Sequence, residues 1–188
     1  MSDNENYKSG DESLVWQEKT KQTLLKTPIF TIEESESVSS DGLKRNYILI
    51  GAPDWVTVIP VVNDNFIMVK QWRHGSKTLS IEFPGGVIEK NETPIQGASR
   101  ELKEETGFVA GKMIHLGTIN PNPAFMQNKF HVFAAFDLKQ TGTQSPDEDE
   151  YVNYFEMKQT DVFAEMGSPQ MPHALMVAAL QLYRQHKK

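Results

Sequence analysis

The chain has 188 residues, 38% of them hydrophobic, with 10 Phe, 3 Trp and 5 Tyr, a formal charge of −6 and a pI near 5.4. That is enough apolar material for one domain of ordinary size with its own core, and it excludes a disordered or fibrous chain; the acidic balance argues against nucleic acid as a partner. Cysteine is absent, which removes disulfides, thiol nucleophiles and thiolate zinc sites, and with neither an apolar signal stretch nor a membrane-length run the expectation is a soluble, cytoplasmic protein without a membrane partner.

Residues 1–13 are polar and read as a flexible leader. Strands are expected over 14–24, 28–36 and 43–50, broken by turn chemistry at Lys26-Thr27-Pro28 and Ser39-Ser40-Asp41-Gly42. "WVTVIPVV" (55–62) and "NFIMVKQW" (65–72) flank Asn63-Asp64 and predict a hairpin with a buried face, and "TLSIEF" predicts a further strand ending at Pro84-Gly85-Gly86. A helix follows: Thr93 is the expected N-cap, Pro94 the first helical residue, Gln96 the partner in a capping box and Gly107 the stop, with Ile95, Ala98 and Leu102 as the apolar stripe. Strands are expected over 112–120, 129–137 and 151–157, and a closing helix over His173–His186 turns Leu175, Ala178, Ala179 and Leu182 inward. Mixed strands with two main helices predict an α+β sandwich.

The chemistry lies in residues 86–108, where five glutamates fall in 23 positions. At about 100° per residue, Glu101 and Glu105 point nearly the same way and Glu104 lies close by, all beside the apolar stripe. Like charges at this spacing oppose helix formation, and near a helix C-terminus the dipole opposes them further. A solvated acidic face is the bland alternative, but such a face normally interleaves lysine, and Lys103 points elsewhere. A hard divalent cation resolves the conflict, because Mg²⁺ is held by a few carboxylates together with substrate phosphate. Arg100 is placed to brace a carboxylate with its planar fork.

Gly86, Glu92 and the run Arg100-Glu101-Leu102-Lys103-Glu104-Glu105-Thr106-Gly107-Phe108 match the pattern G-x5-E-x7-R-E-U-x-E-E-x-G-U at every specified position, U being a bulky apolar residue. With average residue usage, a chance match in a chain this long is on the order of 10⁻⁷. The segment resembles the Nudix box, and the resemblance implies a Nudix hydrolase: an α/β/α sandwich with a mixed sheet, using Mg²⁺ or Mn²⁺ to hydrolyse a nucleoside diphosphate linked to another moiety. It implies metal ligation by Glu101, Glu104, Glu105 and the Gly85 carbonyl, and a structural role for Gly86, Glu92, Arg100 and Gly107, with Glu92 tying the loop to the helix.

"VKQWRHG" and "SIEFPGG" are similar to segments of the branch that hydrolyses ADP-ribose and nucleoside diphosphate sugars, and Pro123 stands where that branch usually carries proline. Gly85 stands in place of its usual alanine, and "NPNPAFMQNK" lacks its acidic residues, which leaves ADP-ribose open against other nucleotide sugars. The likeness implies a catalytic base just before "YVNY", at Glu150 or next at Glu148, against the alternative of a solvated acidic loop. Arg73 is the candidate grip on the diphosphate, with a salt bridge to Glu82 as its competing role; Glu82 is grouped with Arg73, Trp16 and Phe125 as substrate-binding. Trp16, Phe30 and Phe125 are candidates to stack on base or sugar, although aromatics more often fill cores. The five histidines show no metal-ligand spacing, and His131 reads as structural. The expected organisation is a leader over 1–13, an N-terminal antiparallel β arm over 14–50 that forms a homodimer, and a Nudix domain over 51–188. The rival functions are hydrolysis of a dinucleoside polyphosphate or an oxidised nucleoside triphosphate, and a non-catalytic ligand sensor. Sensors usually lose box carboxylates, which are all kept here.

Overall fold

A computed structural model of the chain describes residues 10–145 and 151–187. The chain divides into two units, one of residues up to Ala52 with Asn122–Asn128, the other of Pro53–Pro121 with Lys129–Lys188.

In the first unit β1 (Trp16–Lys26), β2 (Thr31–Ser39) and β3 (Lys44–Gly51) form an antiparallel sheet in that order. Part of the expected leader is ordered as a 3-10 turn over Asp11–Leu14. The 122–128 segment joins this sheet through Ile50, whose N–H donates to the Phe125 carbonyl at 2.7 Å and whose carbonyl accepts from Gln127 N–H at 3.0 Å. Every residue of β1 is exposed, and so are Leu43 and Ile48.

The second unit is built on a mixed seven-stranded sheet. Its strands are β4 (Trp55–Val62), β5 (Asn65–Arg73), β6 (Thr78–Glu82), β7 (Gly85–Val87), β8 (Phe108–Ile119), β9 (Phe130–Gln140) and β10 (Val152–Lys158). The order is β10-β5-β4-β9-β8, with β6 on β5 and β7 on β4; β4 and β9 run parallel and the other pairs antiparallel. Alternation along the central strands sorts the core into two layers. Val56 and Val58 of β4 with Phe133 and Ala135 of β9 bury against Ala98 and Leu102 of α1 (Pro94–Thr106). Ile59, Val132 and Ala134 cluster instead with Met176, Ala179, Leu180 and Tyr183 of α3 (Ala174–His186). A helix layer on each face makes the α/β/α sandwich. The short α2 (Gln159–Glu165) and the strand β7 were not expected from the sequence.

Two details of the helices differ from expectation. Ile95 is 46% exposed, so the buried face of α1 is Ala98, Glu101, Leu102 and Glu105, a core stripe in which alternate members are carboxylates. In α3 the fully buried side is Met176, Ala179, Leu180 and Tyr183, with Leu175 and Leu182 packed at its margins.

The ends of α1 follow from local chemistry. Gln96 Oε1 accepts both the Thr93 N–H (2.9 Å) and its hydroxyl (2.8 Å). Gly107 turns left-handed at φ 75°, its N–H donating to Lys103 O, and a Cβ there would come within 2.5 Å of the Gly142 carbonyl oxygen. Gly107→Ala is therefore expected to cost about 1–2 kcal/mol, from the left-handed conformation plus the crowding. Urea unfolding reads this as a lowered midpoint at unchanged slope.

Candidate active site

α1 presents Glu101 and Glu105 from its buried face, 8% and 2% exposed. Neither sits in apolar packing alone. Gly85 N–H donates to Glu105 Oε2 at 2.8 Å, which ties β7 to the helix. Gly86 lies against Glu101, where an added Cβ would come within 2.8 Å of its carboxylate carbon, so glycine leaves the room the carboxylate occupies. At Gly85 a Cβ would overlap the Val56 carbonyl and stand 2.7 Å from Thr57 Cα, so the β7 backbone approaches β4 as only glycine allows.

Arg100 gathers the other carboxylates. Its Nε donates to Glu92 Oε1 (2.9 Å) and Nη2 to Glu92 Oε2 (3.1 Å) and the Val87 carbonyl (2.8 Å). Nη1 donates to both Glu101 Oε1 and Glu104 Oε2, each at 2.9 Å. Glu92 also accepts the Glu89 N–H at 3.0 Å, so it clamps the loop before the helix. The hydrogen bonds from Arg100 hold Glu92 below the ordinary carboxylate range, and those to Glu92, with the neighbouring Glu101 and Glu104, push Arg100 above its own. Counting Glu89 at 4.0 Å, one guanidinium meets four carboxylates, with Glu105 close behind on the same helix face. The site carries surplus negative charge in a partly dry setting.

Beside it lies a cavity of about 310 Å³ lined by Gly85, Gly86, Arg73, Glu82 and His173 with apolar residues such as Phe83. Arg73 forks onto the fully buried Glu82, Nε to Oε1 at 2.8 Å and Nη2 to Oε2 at 2.6 Å. Burial alone would raise the Glu82 pKa, but the hydrogen bonds and charge of Arg73 outweigh it and hold the carboxyl below its ordinary value. So the salt bridge that competed with phosphate binding in the sequence is formed, and it orients the guanidinium at the cavity wall.

Sequence reasoning missed two residues here. Gln144 donates from Nε2 to the carbonyls of Glu105 (2.5 Å) and Val152 (3.0 Å), and Ser145 N–H donates to the Glu104 carbonyl at 2.8 Å. The chain just ahead of 146–150 is thereby pinned to the acidic end of α1; Glu148 and Glu150 themselves lie outside the described residues. The second is His173, which caps α3 and lines the cavity. Trp16 and Phe125 belong to the first unit, Trp16 edge-on to Tyr47 at 5.6 Å and Phe125 40% exposed. His131 bonds to Asp54 at 3.3 Å and Thr118 at 2.9 Å, on β9.

Among the described residues no three His, Asp or Glu side chains already converge as an ion cage. The donors nevertheless suit a hard divalent cation: carboxylate oxygens of Glu101, Glu104 and Glu105 beside the glycine backbone, with Arg100 shared between Glu101 and Glu104. Among the described residues, no helix is long and apolar enough to cross a membrane.

Comparison with known proteins agrees with this geometry. The family model described as NUDIX domain matches residues 53–176. The chain is 32% identical over 169 residues to the ADP-ribose pyrophosphatase of Bacillus subtilis (strain 168), covering 85% of this chain and 90% of that one. It is 27% identical to the ADP compounds hydrolase NudE of Escherichia coli (strain K12), over 89% of this chain and 90% of that protein. A crystal structure of an ADP compounds hydrolase superposes with a TM-score of 0.81 at 26% identity, covering 91% of this chain and 93% of the other. A box complete in sequence, the sandwich that carries it and these likenesses lead to one assignment: the chain belongs to the Nudix family.

Proposed function

We propose that this pyrophosphohydrolase acts, with Mg²⁺ or Mn²⁺, on the diphosphate of a nucleoside diphosphate sugar, ADP-ribose or a near analogue, releasing a nucleoside monophosphate and a sugar phosphate. The observation that carries this reading is the surplus of carboxylates at Arg100 and beside it, with Glu101 and Glu105 nearly buried on a core-facing helix stripe. Crowded carboxylates oppose a helix, and a cation with an anionic substrate would offset that cost. The names of the relatives that match along most of the chain favour adenosine diphosphate compounds.

Glu101, Glu104 and Glu105, with the Gly85 carbonyl, would hold the metal. When bound, it supplies positive charge at the phosphoryl oxygens and lowers the pKa of a water. Arg100 holds the Glu101 and Glu104 carboxylates in place, and Gly86 leaves room for Glu101. Arg73, its fork fixed by Glu82, lines the cavity and orients the diphosphate. Water adds to one phosphorus as the bridging P–O bond breaks, and its proton passes to a base that we assign to Glu150, with Glu148 second; Gln144 and Ser145 anchor the chain leading to them. Trp16 and Phe125 complete the proposal as stacking partners for base or sugar. The exposed apolar residues of the β arm support a homodimer, in a cytoplasmic enzyme that binds neither nucleic acid nor membrane.

The test is hydrolysis of ADP-ribose, GDP-mannose, UDP-glucose, a dinucleoside polyphosphate and an oxidised nucleoside triphosphate in ¹⁸O water. Fastest turnover of a nucleotide sugar, with label in one phosphate monoester product, is the expected outcome. Preference for a polyphosphate or triphosphate overturns the substrate class, and binding without turnover of any of them overturns the enzyme.

A further inference from the structure

His173 is fixed in one tautomer by the helix it caps. Its Nδ1 accepts the Leu175 N–H at 3.2 Å, at the N-terminus of α3. A neutral imidazole has one donor and one acceptor nitrogen, so this leaves the hydrogen on Nε2. That nitrogen stops 3.9 Å from Glu82 Oε2, beyond hydrogen-bond distance, and both Glu82 oxygens already receive hydrogens from Arg73. Burial lowers the His173 pKa, Glu82 works against that and the Arg73 charge adds to it; the net shift is downward, which keeps the ring neutral. The cavity wall thus combines the Arg73–Glu82 pair and a neutral N–H donor with apolar Phe83, Phe130 and Met176. With the Glu82 oxygens already taken up by Arg73, the two donors of this wall suit a ligand group rich in acceptor oxygens.

We infer that His173 is a substrate-contacting residue: its Nε2–H donates to a phosphoryl oxygen of the bound nucleotide, alongside Arg73. This rests on the hydrolase reading above and deepens it, because nothing in the family box or the sequence pattern points to this histidine. The N-cap supplies the orientation, so a single backbone hydrogen bond both starts α3 and aims a substrate donor.

Two substitutions separate these roles. His173→Asn keeps an N-cap acceptor for Leu175 N–H but is too short to place a donor where Nε2 stands. His173→Ala removes both. For ADP-ribose with Mg²⁺, His173→Asn is expected to raise KM about tenfold, as for one lost hydrogen bond to a charged group, with kcat and thermal midpoint unchanged. His173→Ala should show the same KM and a lower midpoint. Calorimetric titration of ADP-ribose in metal-free buffer gives a second readout, in which the dissociation constant of the Asn variant rises by the same factor. A wild-type KM in His173→Asn, or a KM defect that appears only in the destabilised Ala variant, overturns the assignment. If the wild type binds ADP-ribose but turns over no nucleotide sugar, the hydrolase reading fails by itself. The calorimetric comparison then still decides the contact: weaker binding by the Asn variant keeps it and equal binding removes it.

Discussion

Glu105→Gln lowers kcat for ADP-ribose hydrolysis by about 10³-fold and leaves the protein folded. The replacement has nearly the same shape, and its amide oxygen can still accept the Gly85 N–H that Glu105 Oε2 accepts at 2.8 Å. What it removes is one formal charge, at a site 2% exposed where water screens little. Loss of one preorganised electrostatic contact in such a setting typically costs about 10²–10³ in kcat, and a charged metal ligand belongs at the upper end. Steady-state kinetics with a thermal melt on the same sample check both halves. Turnover within tenfold of wild type, on a sound fold, removes Glu105 from the chemistry.

Arg100→Ala should be the most destabilising single change at the site, by about 3 kcal/mol. It strips Glu92 of two hydrogen bonds and leaves Glu101, 8% exposed, and Glu104 without their shared Nη1 donor. The figure is set at the low end of the range for broken buried pairs because Glu104 is 35% exposed and partly screened by solvent. Arg100→Lys keeps the charge without the fork and should fall about midway. The pH dependence has a definite sign. Glu92 has a lowered pKa in the folded state, so its share of the stability is fully present above the unfolded value of about 4.5 and is lost as pH falls through the folded value. Urea midpoints of wild type and Arg100→Ala should therefore converge below about pH 4.5. A gap that stays constant through acid would mean that Arg100 acts by packing and not by charge.

The reach of the sequence differs from element to element for physical reasons. The ends of α1 were legible because Thr93, Pro94, Gln96 and Gly107 act within a few residues of themselves. The central strands were legible because β-branched runs flank a compact turn at Asn63-Asp64. The carboxylate cluster showed because a helix converts spacing directly into a shared face. Ile95 misled because it continues the apolar period while sitting in the first turn, outside the cluster that Ala98 and Leu102 join. The strand β7 was hidden because Gly85-Gly86 reads as a turn, yet there the missing side chains are what let the backbone pair with β4 beside Glu101. Gln144 and His173 were invisible for a different reason: Gln144 meets the Glu105 carbonyl and His173 joins Arg73 at one cavity only through the fold, and no local period encodes such a meeting.

The most direct test of the whole account is Mn²⁺ binding, read by electron paramagnetic resonance on wild type, Glu101→Gln and Glu105→Gln with ADP-ribose present. Bound Mn²⁺ is expected in the wild type, and at least tenfold weaker binding in each variant at an unchanged melting temperature. Equal affinity in all three would mean that these two carboxylates do not hold the metal.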